Sequence, residues 1–347
     1  MKRSLDGALG FIRGGLNPEG LWTDFLTLAG ESVCWVSGYV GYAACPGGEA
    51  PGEDWLGRVA SRILARQGPE GGWGYGPGVP PDADSTAWCL LFLSRLGGQS
   101  EEARARAVGF LLGHQSRVDG GFRTYAVPSH VGRYMMLDRS VSFDGWASSQ
   151  NCITGVAVQA LLEAGRPGSS VDEALGFVRG SQTAEGCWEP YWWTERLYST
   201  VHCAQALKAG GRPEDAERVS RAEDWIARTQ LPDGGWSGLS ATDGLPFPTA
   251  LALTGLLLAP RPRYPQAVEA GIEWLLSRQL ADGSWASNHI LRIPHPSVKE
   301  PWRQARWKRD GRAIDAVIRD QRRLFTTATA LSAISRFDGV SSRGGLR

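Results

Sequence analysis

Long apolar runs are absent from this sequence of 347 residues. No stretch reaches the ~18 consecutive apolar residues that a membrane-spanning helix needs, and no apolar signal core follows the basic start at Lys2 and Arg3. Excess charge is also absent, because 37 Lys and Arg balance 36 Asp and Glu. That balance argues against a nucleic-acid-binding protein. We therefore expect a cytoplasmic protein, with peripheral contact to a membrane surface left open.

Cysteine and histidine pairs with metal-binding spacing are absent as well. The six cysteines are Cys34, Cys45, Cys89, Cys152, Cys187 and Cys203. None of them forms a Cys-x-x-Cys pair, and no spacing of Cys with His resembles a zinc site. Scattered cysteines of this kind are typical of small buried apolar residues in a reducing compartment. No resident metal is predicted.

Glycine and tryptophan are abundant, with 45 and 15 residues, and they recur together in a repeat. Five turns begin with a glutamine and end in Gly-x-aromatic, and an earlier degenerate copy at 16–22 lacks the glutamine. The glutamines are Gln67, Gln115, Gln182, Gln230 and Gln279, and the aromatic residues are Trp22, Trp73, Phe122, Trp188, Trp236 and Trp285. Neighbouring aromatic residues lie about 49 positions apart except across one longer interval, so six structural units are predicted.

Each turn follows an amphipathic helical stretch and precedes a more apolar one. The apolar helices are predicted at 32–44, 84–96, 147–164, 196–209, 247–258 and 324–336. Six helix pairs predict an all-α fold, a single (α/α)6 barrel over residues 1–347 with the apolar helices inside. Two insertions, 123–146 and 286–323, precede inner helices and so share one mouth, which we expect to be the functional face because long loops and helix N-termini meet there.

These turns resemble the QW motifs of the superfamily of squalene–hopene cyclases, oxidosqualene cyclases and protein prenyltransferase β-subunits, over nearly the whole chain. The cyclases of this superfamily open one inner helix with Asp-x-Asp-Asp, whose middle aspartate protonates an alkene or epoxide. The matching stretch here contains Asp82 and Asp84, with Ser85 in place of the last aspartate. Val156 stands near the position of the family's supporting histidine.

The resemblance implies that Asp84 is the general acid and that Asp82 and Ser85 orient its proton. The residues alone leave an alternative, because Asp-x-Asp-Ser is also a typical helix N-cap. The prenyltransferase branch fits less well, since its zinc-binding Asp-x-Cys-Tyr-Ser is matched by Glu195–Ser199 with Leu197 in the metal position. Leucine cannot bind zinc, so protein prenyl transfer is not expected.

Aromatic residues cluster near the predicted starts of the inner helices. Ring faces stabilise cations by ~0.5–2 kcal/mol each, as a cyclisation cascade would need. The candidates for binding substrate are Trp35, Trp88, Trp146, Tyr191, Trp192, Trp193, Phe247 and Phe325. We expect about half of them to line a cavity and the others to pack the barrel.

The two insertions offer further candidate sites. Segment 286–323 carries ten Lys and Arg against four acids, so Arg303 and Arg306 are candidates for binding a diphosphate, with Mg²⁺ as its counter-ion, or an anionic membrane surface. A solvated loop is the alternative. Segment 123–146 contains Tyr134, Met135 and Met136 and could be a lid. It could equally bind a partner protein or a second copy of the chain.

Two classes of function remain open at this stage. The first is a class II, protonation-initiated terpene cyclase acting on a polyprenyl chain or polyprenyl diphosphate. The second is a barrel that is non-catalytic, or catalytic in another way, and binds a lipid or a partner protein. A third possibility is an acid-catalysed cyclase or isomerase of a non-terpenoid substrate, because a fold does not fix a function.

Overall fold

Thirteen helices account for most of the residues that the structure describes, which in this computed structural model are 1–45, 55–97, 100–126, 128–135, 137–138, 140–238, 242–310 and 312–343. In chain order they are α1 (Lys2–Gly14), α2 (Cys34–Ala43), α3 (Trp55–Leu64), α4 (Ala83–Leu96), α5 (Glu101–Gly113), α6 (Pro128–Tyr134), α7 (Asn151–Glu163), α8 (Ser169–Ser181), α9 (Arg196–Gly210), α10 (Ala216–Arg228), α11 (Pro246–Leu256), α12 (Pro265–Ser277) and α13 (Leu324–Ser342). Short 3₁₀ turns lie at Pro213–Asp215 and Pro301–Arg303.

Six of these helices form a closed inner ring. In ring order they are α2, α4, α7, α9, α11 and α13; each packs against the next, and α13 packs against α2. Helices α1, α3, α5, α8, α10 and α12 lie outside them. The predicted (α/α)6 barrel is confirmed, and four of the predicted inner helices match within two residues at each end. Helix α7 begins at Asn151, four residues later than predicted, because residues 144–147 form turns, and α13 continues to Ser342, six residues beyond its predicted end.

Tryptophan ties the outer helix to the inner helix in five of the six units, and Phe122 takes its position in the third. The Trp73 indole Nε1–H donates to the carbonyl oxygen of Ile63 in α3 at 2.7 Å, and its backbone N–H donates to Thr86 Oγ1 in α4 at 3.0 Å. The other turn tryptophans repeat the indole bond to a carbonyl ten residues upstream. All of these indoles are fully buried, as the sequence predicted.

Glutamine ties five of the six units to the next, because the first turn, at 16–22, has no glutamine. Gln67 Nε2 donates to the carbonyl oxygens of Gly71 and Ala103, at 2.7 and 2.8 Å, and so joins its own turn to α5. Gln279 makes the same pair of bonds to Gly283 and Ser4, both at 2.9 Å. Because Ser4 lies in α1, the fifth glutamine joins the last unit to the first.

Short strands supplement the helices at the mouth. They are β1 (Asp24–Thr27), β2 (Gly30–Ser32), β3 (Trp73–Gly74), β4 (Pro81–Asp82), β5 (His289–Ile293), β6 (Lys308–Arg309) and β7 (Ala316–Arg319). Strands β1 and β2 pair antiparallel, as do β3 and β4. The insertion predicted as a loop at 286–323 forms a three-stranded sheet in the order β5-β7-β6. The insertion at 123–146 contains the short helix α6, and its Met136 lies outside the described residues.

Burial of the cysteines agrees with the sequence, since all six side chains are buried. Among the helices that the structure describes, none combines the length and the apolar character needed to cross a bilayer.

Candidate active site

Asp82 caps the helix that carries the candidate acid. It is the last residue of β4 and the N-cap of α4, with an extended backbone. Its Oδ1 accepts the Ser85 backbone N–H at 2.8 Å, and its Oδ2 accepts the Ser85 hydroxyl at 2.7 Å. The capping interpretation is therefore right for Asp82. Ser85 is bound to Asp82, with no hydrogen bond to Asp84 in the described part of the chain.

Asp84 lies in the first turn of α4, and its side chain is only 9% exposed. Its Oδ1 is buried and has no hydrogen-bond partner among the described residues. Burial raises the pKa of Asp84 well above its usual range, and the negative charge of Asp82 raises it further. The Trp35 indole N–H lowers this pKa, by less than the other two causes raise it. Burial and the charge of Asp82 thus both favour the protonated form of Asp84.

The pKa of the Asp82 carboxyl group is raised less than that of Asp84. Burial raises the pKa of Asp82 to about 6, while the hydrogen bonds from Ser85 act in the opposite direction. The neutral form is therefore favoured more strongly for Asp84 than for Asp82. The two carboxyl groups differ because the backbone N–H and the hydroxyl of Ser85 stabilise the charged form of Asp82.

A narrow cavity of about 90 Å³ opens beside these carboxyl groups, at the end of the barrel where the inner helices begin. Its lining comprises Thr27, Leu28, Ala29, Trp35, Tyr75, Val79, Asp82, Asp84, Ser85, Thr124, Tyr125, Val131, Met135, Trp146, Trp192, Leu291 and Ile293. Lysine and arginine are absent from this set of described residues. The cavity is suited to an apolar molecule with a proton donor at its wall.

Five aromatic rings form much of that wall. Trp35 and Tyr75 are stacked with centroids 5.9 Å apart. Trp146 lies 5.4 Å from Trp192 and 6.0 Å from Tyr125. Because ring faces attract cations, this wall can stabilise a carbocation that forms near Asp84.

The Trp192 ring is held in place by a buried polar network. Its indole N–H donates to Thr124 Oγ1 and Gln150 Oε1, both at 2.8 Å. The Thr124 hydroxyl in turn donates to Gln150 Oε1 at 2.7 Å, and the backbone carbonyl of Thr124 accepts the Ala83 N–H of α4. The ring is thereby connected to the helix turn that carries Asp84.

Five of the eight predicted aromatic candidates lie away from this cavity. Trp88 is one helical turn below Asp84, where its indole N–H donates to the Tyr198 hydroxyl at 3.1 Å. Tyr191 donates its hydroxyl to the Val298 carbonyl at 2.8 Å and so anchors the 286–323 insertion. The others, Trp193, Phe247 and Phe325, pack together in the barrel interior. Trp35, Trp146 and Trp192 are the candidates that line the cavity.

Arg303 and Arg306 do not reach the cavity. The Arg303 side chain is 73% exposed and pairs with Glu300 at 3.3 Å, and Arg306 is also exposed. The physical reason is that segment 286–323 folds into a sheet, which turns these residues toward solvent. The structure therefore gives no support to their predicted contact with a substrate diphosphate.

Several wall residues were missed by the sequence reasoning. Tyr75 and Tyr125 follow the turn aromatics Trp73 and Phe122 by two or three residues, so their place after the turn was a usable signal. Leu291 and Ile293 belong to β5, whose alternation was not recognised.

A second pair of buried acids lies at the start of α13. Asp24 accepts the backbone N–H groups of Arg322 and Leu324, at 3.0 and 3.1 Å, and Asp320 accepts that of Thr326 at 2.8 Å. Burial raises the pKa of Asp24 to about 6 and that of Asp320 to about 8, and the proximity of Asp24 adds to the second shift. These acids hold the first strand against the last inner helix.

No cluster of three or more metal-binding His, Cys, Asp or Glu side chains is found in the described ranges.

Known proteins resemble this chain in both sequence and structure. Residues 63–298 match the family model described as squalene–hopene cyclase C-terminal domain. A drimenyl diphosphate synthase from Streptomyces showdoensis is 31% identical over 212 residues, covering 59% of this chain and 36% of that protein. A probable squalene–hopene cyclase from Sinorhizobium fredii is 29% identical over 213 residues, covering 54% and 32%.

Solved structures of terpene cyclases also resemble this chain. The type II terpene cyclase MstE from Scytonema, in complex with its substrate geranylgeranyl dihydroxybenzoate, has a TM-score of 0.88 and 28% identity, covering 98% of this chain and 97% of that one. The chain spans about a third of the length of the two curated relatives and nearly all of this structure. It belongs to the squalene–hopene cyclase family, within the class II terpene cyclase superfamily.

Proposed function

We propose that this chain is a class II terpene cyclase in which Asp84 protonates an alkene of a polyprenyl substrate. The observation that carries the proposal is the state of Asp84, a buried carboxyl group with an unpartnered oxygen at the wall of an aromatic cavity. An alkene is a very weak base, so its protonation requires an acid that is kept neutral and dry. Asp84 meets both conditions.

The first step moves one proton. The O–H bond of Asp84 breaks while a C–H bond forms at the less substituted carbon of the alkene, which leaves a tertiary carbocation. The π electrons of a neighbouring alkene attack that cation and close a ring. When the final cation loses a proton, the product is an isomer of the substrate. The sequence of steps needs no oxidant or reductant.

Asp82 supports this step through its charge. It keeps the pKa of Asp84 high before the transfer, and its negative charge favours the cation that forms nearby. Its bonds to Ser85 hold it at the helix start. The rings of Trp35, Trp146 and Trp192 then supply cation–π stabilisation along the wall.

The substrate is proposed to insert an apolar isoprenoid chain while its head group stays outside the acid cavity, because the described lining has no basic side chain. A cavity of about 90 Å³ is smaller than the ~300–1,000 Å³ of most ligand pockets. Wall residues must therefore move when substrate binds. Leu28, which is 39% exposed, and Met135 lie in the wall and are suited to such a displacement.

The polar head group of the substrate is proposed to be either a diphosphate or an aromatic acid. One relative, by its name, makes drimenyl diphosphate, and MstE binds geranylgeranyl dihydroxybenzoate, a prenylated aromatic acid. Both relatives support a substrate with a prenyl chain on a polar head. The ring of six units is proposed to act as one catalytic unit for such a molecule.

The test is incubation of the purified chain with geranyl, farnesyl and geranylgeranyl diphosphates, squalene and geranylgeranyl dihydroxybenzoate, with and without Mg²⁺. Mass spectrometry should show a cyclised isomer of at least one of them. Replacing Asp84→Asn should lower the rate by about 100- to 10,000-fold, the usual contribution of a general acid. Asp6→Asn on the exposed side of α1 is the matched control and should keep full activity.

Two outcomes would contradict the assignment. Full activity in the Asp84→Asn variant would remove Asp84 as the acid. Saturable binding of these lipids to the wild-type chain without conversion of any would favour a barrel that binds lipid without catalysis.

A further inference from the structure

Strand β5 separates two pockets of opposite character. Leu291 and Ile293 point to the acid cavity, whereas Arg292 between them lines a second pocket on the other face of the sheet. Arg292 lies opposite Val317 of β7, and Val317 lies opposite Arg309 of β6. Neighbouring strands are ~4.8 Å apart, so the two arginines stand on one face about two strand spacings apart.

The second pocket is larger and more polar than the acid cavity. Its volume is about 500 Å³, and it has no wall residue in common with the acid cavity. Trp302 and Trp307 form one side, and Thr194 and Leu245 lie beside the starts of α9 and α11. The N-terminal ends of those two long helices carry positive partial charge toward this space.

Arg292 is the buried cation of this pocket. It is 4% exposed, and its Nε has no hydrogen-bond partner among the described residues. Its Nη2 donates to the Pro190 carbonyl at 3.3 Å, and its guanidinium lies over the Trp307 ring at 5.6 Å. No ion pair joins it to a carboxylate within the described ranges. Burial lowers the pKa of Arg292 to about 10, so it remains charged at neutral pH.

The charges around Arg292 leave the pocket positive. Glu195 lines it and favours the charged form of Arg292, but Arg309 adds a second guanidinium. His289 is engaged with Asp310, whose Oδ2 lies 3.0 Å from Nε2. A buried cation that lacks an ion pair is costly unless a bound group satisfies it.

We propose that this pocket binds a phosphate-type oxyanion, with diphosphate as the best fit, between Arg292 and Arg309. Guanidinium groups present paired N–H donors that match the oxygens of phosphate groups. Two of them on one face of a sheet suit an anion with two phosphoryl centres. This site stands apart from Asp84 and does not depend on cyclase activity. Free diphosphate and the head group of a prenyl diphosphate share the required chemistry.

Isothermal titration of the full chain with inorganic diphosphate, at about 0.15 M salt to screen loose surface binding, tests the proposal. One saturable site is expected. Arg309→Ala should weaken binding about tenfold, as the loss of one charge-assisted contact predicts. Arg292→Lys, which keeps the buried charge but loses the planar fork, should also weaken it. Arg306→Ala, exposed and outside the pocket, is the matched control and should bind like the wild type.

Farnesyl diphosphate identifies the source of the anion. Tighter binding than inorganic diphosphate indicates a head group, and equal binding indicates the free anion; each supports an oxyanion site. The absence of saturable binding by either, or an Arg306→Ala loss as large as that of Arg309→Ala, would overturn the proposal. The Asp84→Asn variant should bind diphosphate normally, so failure of the cyclase proposal and failure of this one are distinguishable.

Discussion

Two aspartates two positions apart have different surroundings in the α4 turn. Asp82 accepts hydrogen bonds from Ser85 and caps the helix, whereas Asp84 Oδ1 has no hydrogen-bond partner among the described residues. The second arrangement is the one that the proposed proton transfer to a substrate requires. The negative charge of Asp82 nevertheless raises the pKa of Asp84. Substitutions at Asp82 can therefore remove this charge while keeping the hydrogen bond that caps the helix.

The Asp82→Asn variant should shift the pH dependence of cyclisation. The amide can still accept the Ser85 N–H, but it removes the negative charge that raises the pKa of Asp84. Activity requires protonated Asp84, so the rate falls as pH rises through that pKa. In the variant this fall should occur at lower pH. Rate–pH profiles of both proteins measure the shift, and Asp82→Ala, which also loses the cap, should lower stability by about 1 kcal/mol.

The buried pair Asp24 and Asp320 should make the fold less stable as pH rises from about 4 to about 8. Their pKa values of about 6 and about 8 lie above those in the unfolded chain, so the folded state binds more protons. Stability is then full below about pH 4 for these groups and is lost as pH rises toward 8, by up to about 1.4 kcal/mol per pH unit for each group. Urea unfolding of wild type and Asp320→Asn across this range measures it. A variant with the same pH slope as wild type would contradict the prediction.

Single residues were predictable where a family motif could be matched along the chain. Asp82 and Asp84 were identified because they match the Asp-x-Asp-Asp motif of the cyclases that this sequence resembles. Trp88 was a candidate for the wall because it lies near the predicted start of an inner helix, but one turn of α4 carries it below the cavity to Tyr198. Depth along the barrel depends on how rings from several helices fill the interior, which spacing does not reveal.

At the scale of elements, the turn glycines set how closely neighbouring units approach. Gly283 has a φ of +87°, and a Cβ there would lie 2.2 Å from the Gly7 carbonyl oxygen of α1. Gly283→Ala should therefore cost about 2 kcal/mol or more, from backbone strain and overlap.

Thermal and urea unfolding measure that loss. Gly10→Ala in α1 is the control, because nothing lies within 4 Å of its added Cβ. That change should be neutral or stabilise by up to about 1 kcal/mol. Equal effects of the two substitutions would show that the turn tolerates a side chain.

The element that sequence reasoning described least well is the 286–323 insertion. Strand β6 has only two residues and pairs parallel with β7. Neither the length of this strand nor a hairpin turn in the sequence therefore predicts the sheet. Its strands are held by the barrel mouth, as in the bond from the Arg292 N–H to the Trp192 carbonyl at 2.7 Å. Tertiary contact of this kind has no local sequence pattern.

The whole molecule is a ring without end units. Gln279 bonds to Ser4 in the same way that Gln230 bonds to Ala267 inside the array. Gln279→Ala and Gln230→Ala should therefore each lower stability by about 1–3 kcal/mol, the value of two lost hydrogen bonds. Urea unfolding compares them directly. A much smaller loss for Gln279→Ala would mean that the last and first units contribute little to each other.

The ring itself was predictable because a repeat near 49 residues, with an aromatic residue in all six units and a glutamine in five, can be read directly from the sequence. The packing of side chains inside the ring was not predictable in this way. Stacked rings such as Trp193 on Tyr198, at 3.7 Å, fill much of the space that a simple count of helices leaves open. The usable cavity is therefore confined to the mouth.

Because successive side chains of β5 point to opposite faces of the sheet, the linings of the two pockets depend on the same strand register. A slip of one residue in its pairing with β7 would turn Arg292 inward and Leu291 outward, since neighbouring side chains point to opposite faces. A guanidinium would then face the cavity in which we propose that a carbocation forms, and an alkyl side chain would face the proposed anion site. Inserting or deleting one residue in β5 should therefore disrupt both pockets even when the barrel still folds. Substitutions that keep the length of the strand can change the lining of one pocket without changing the other.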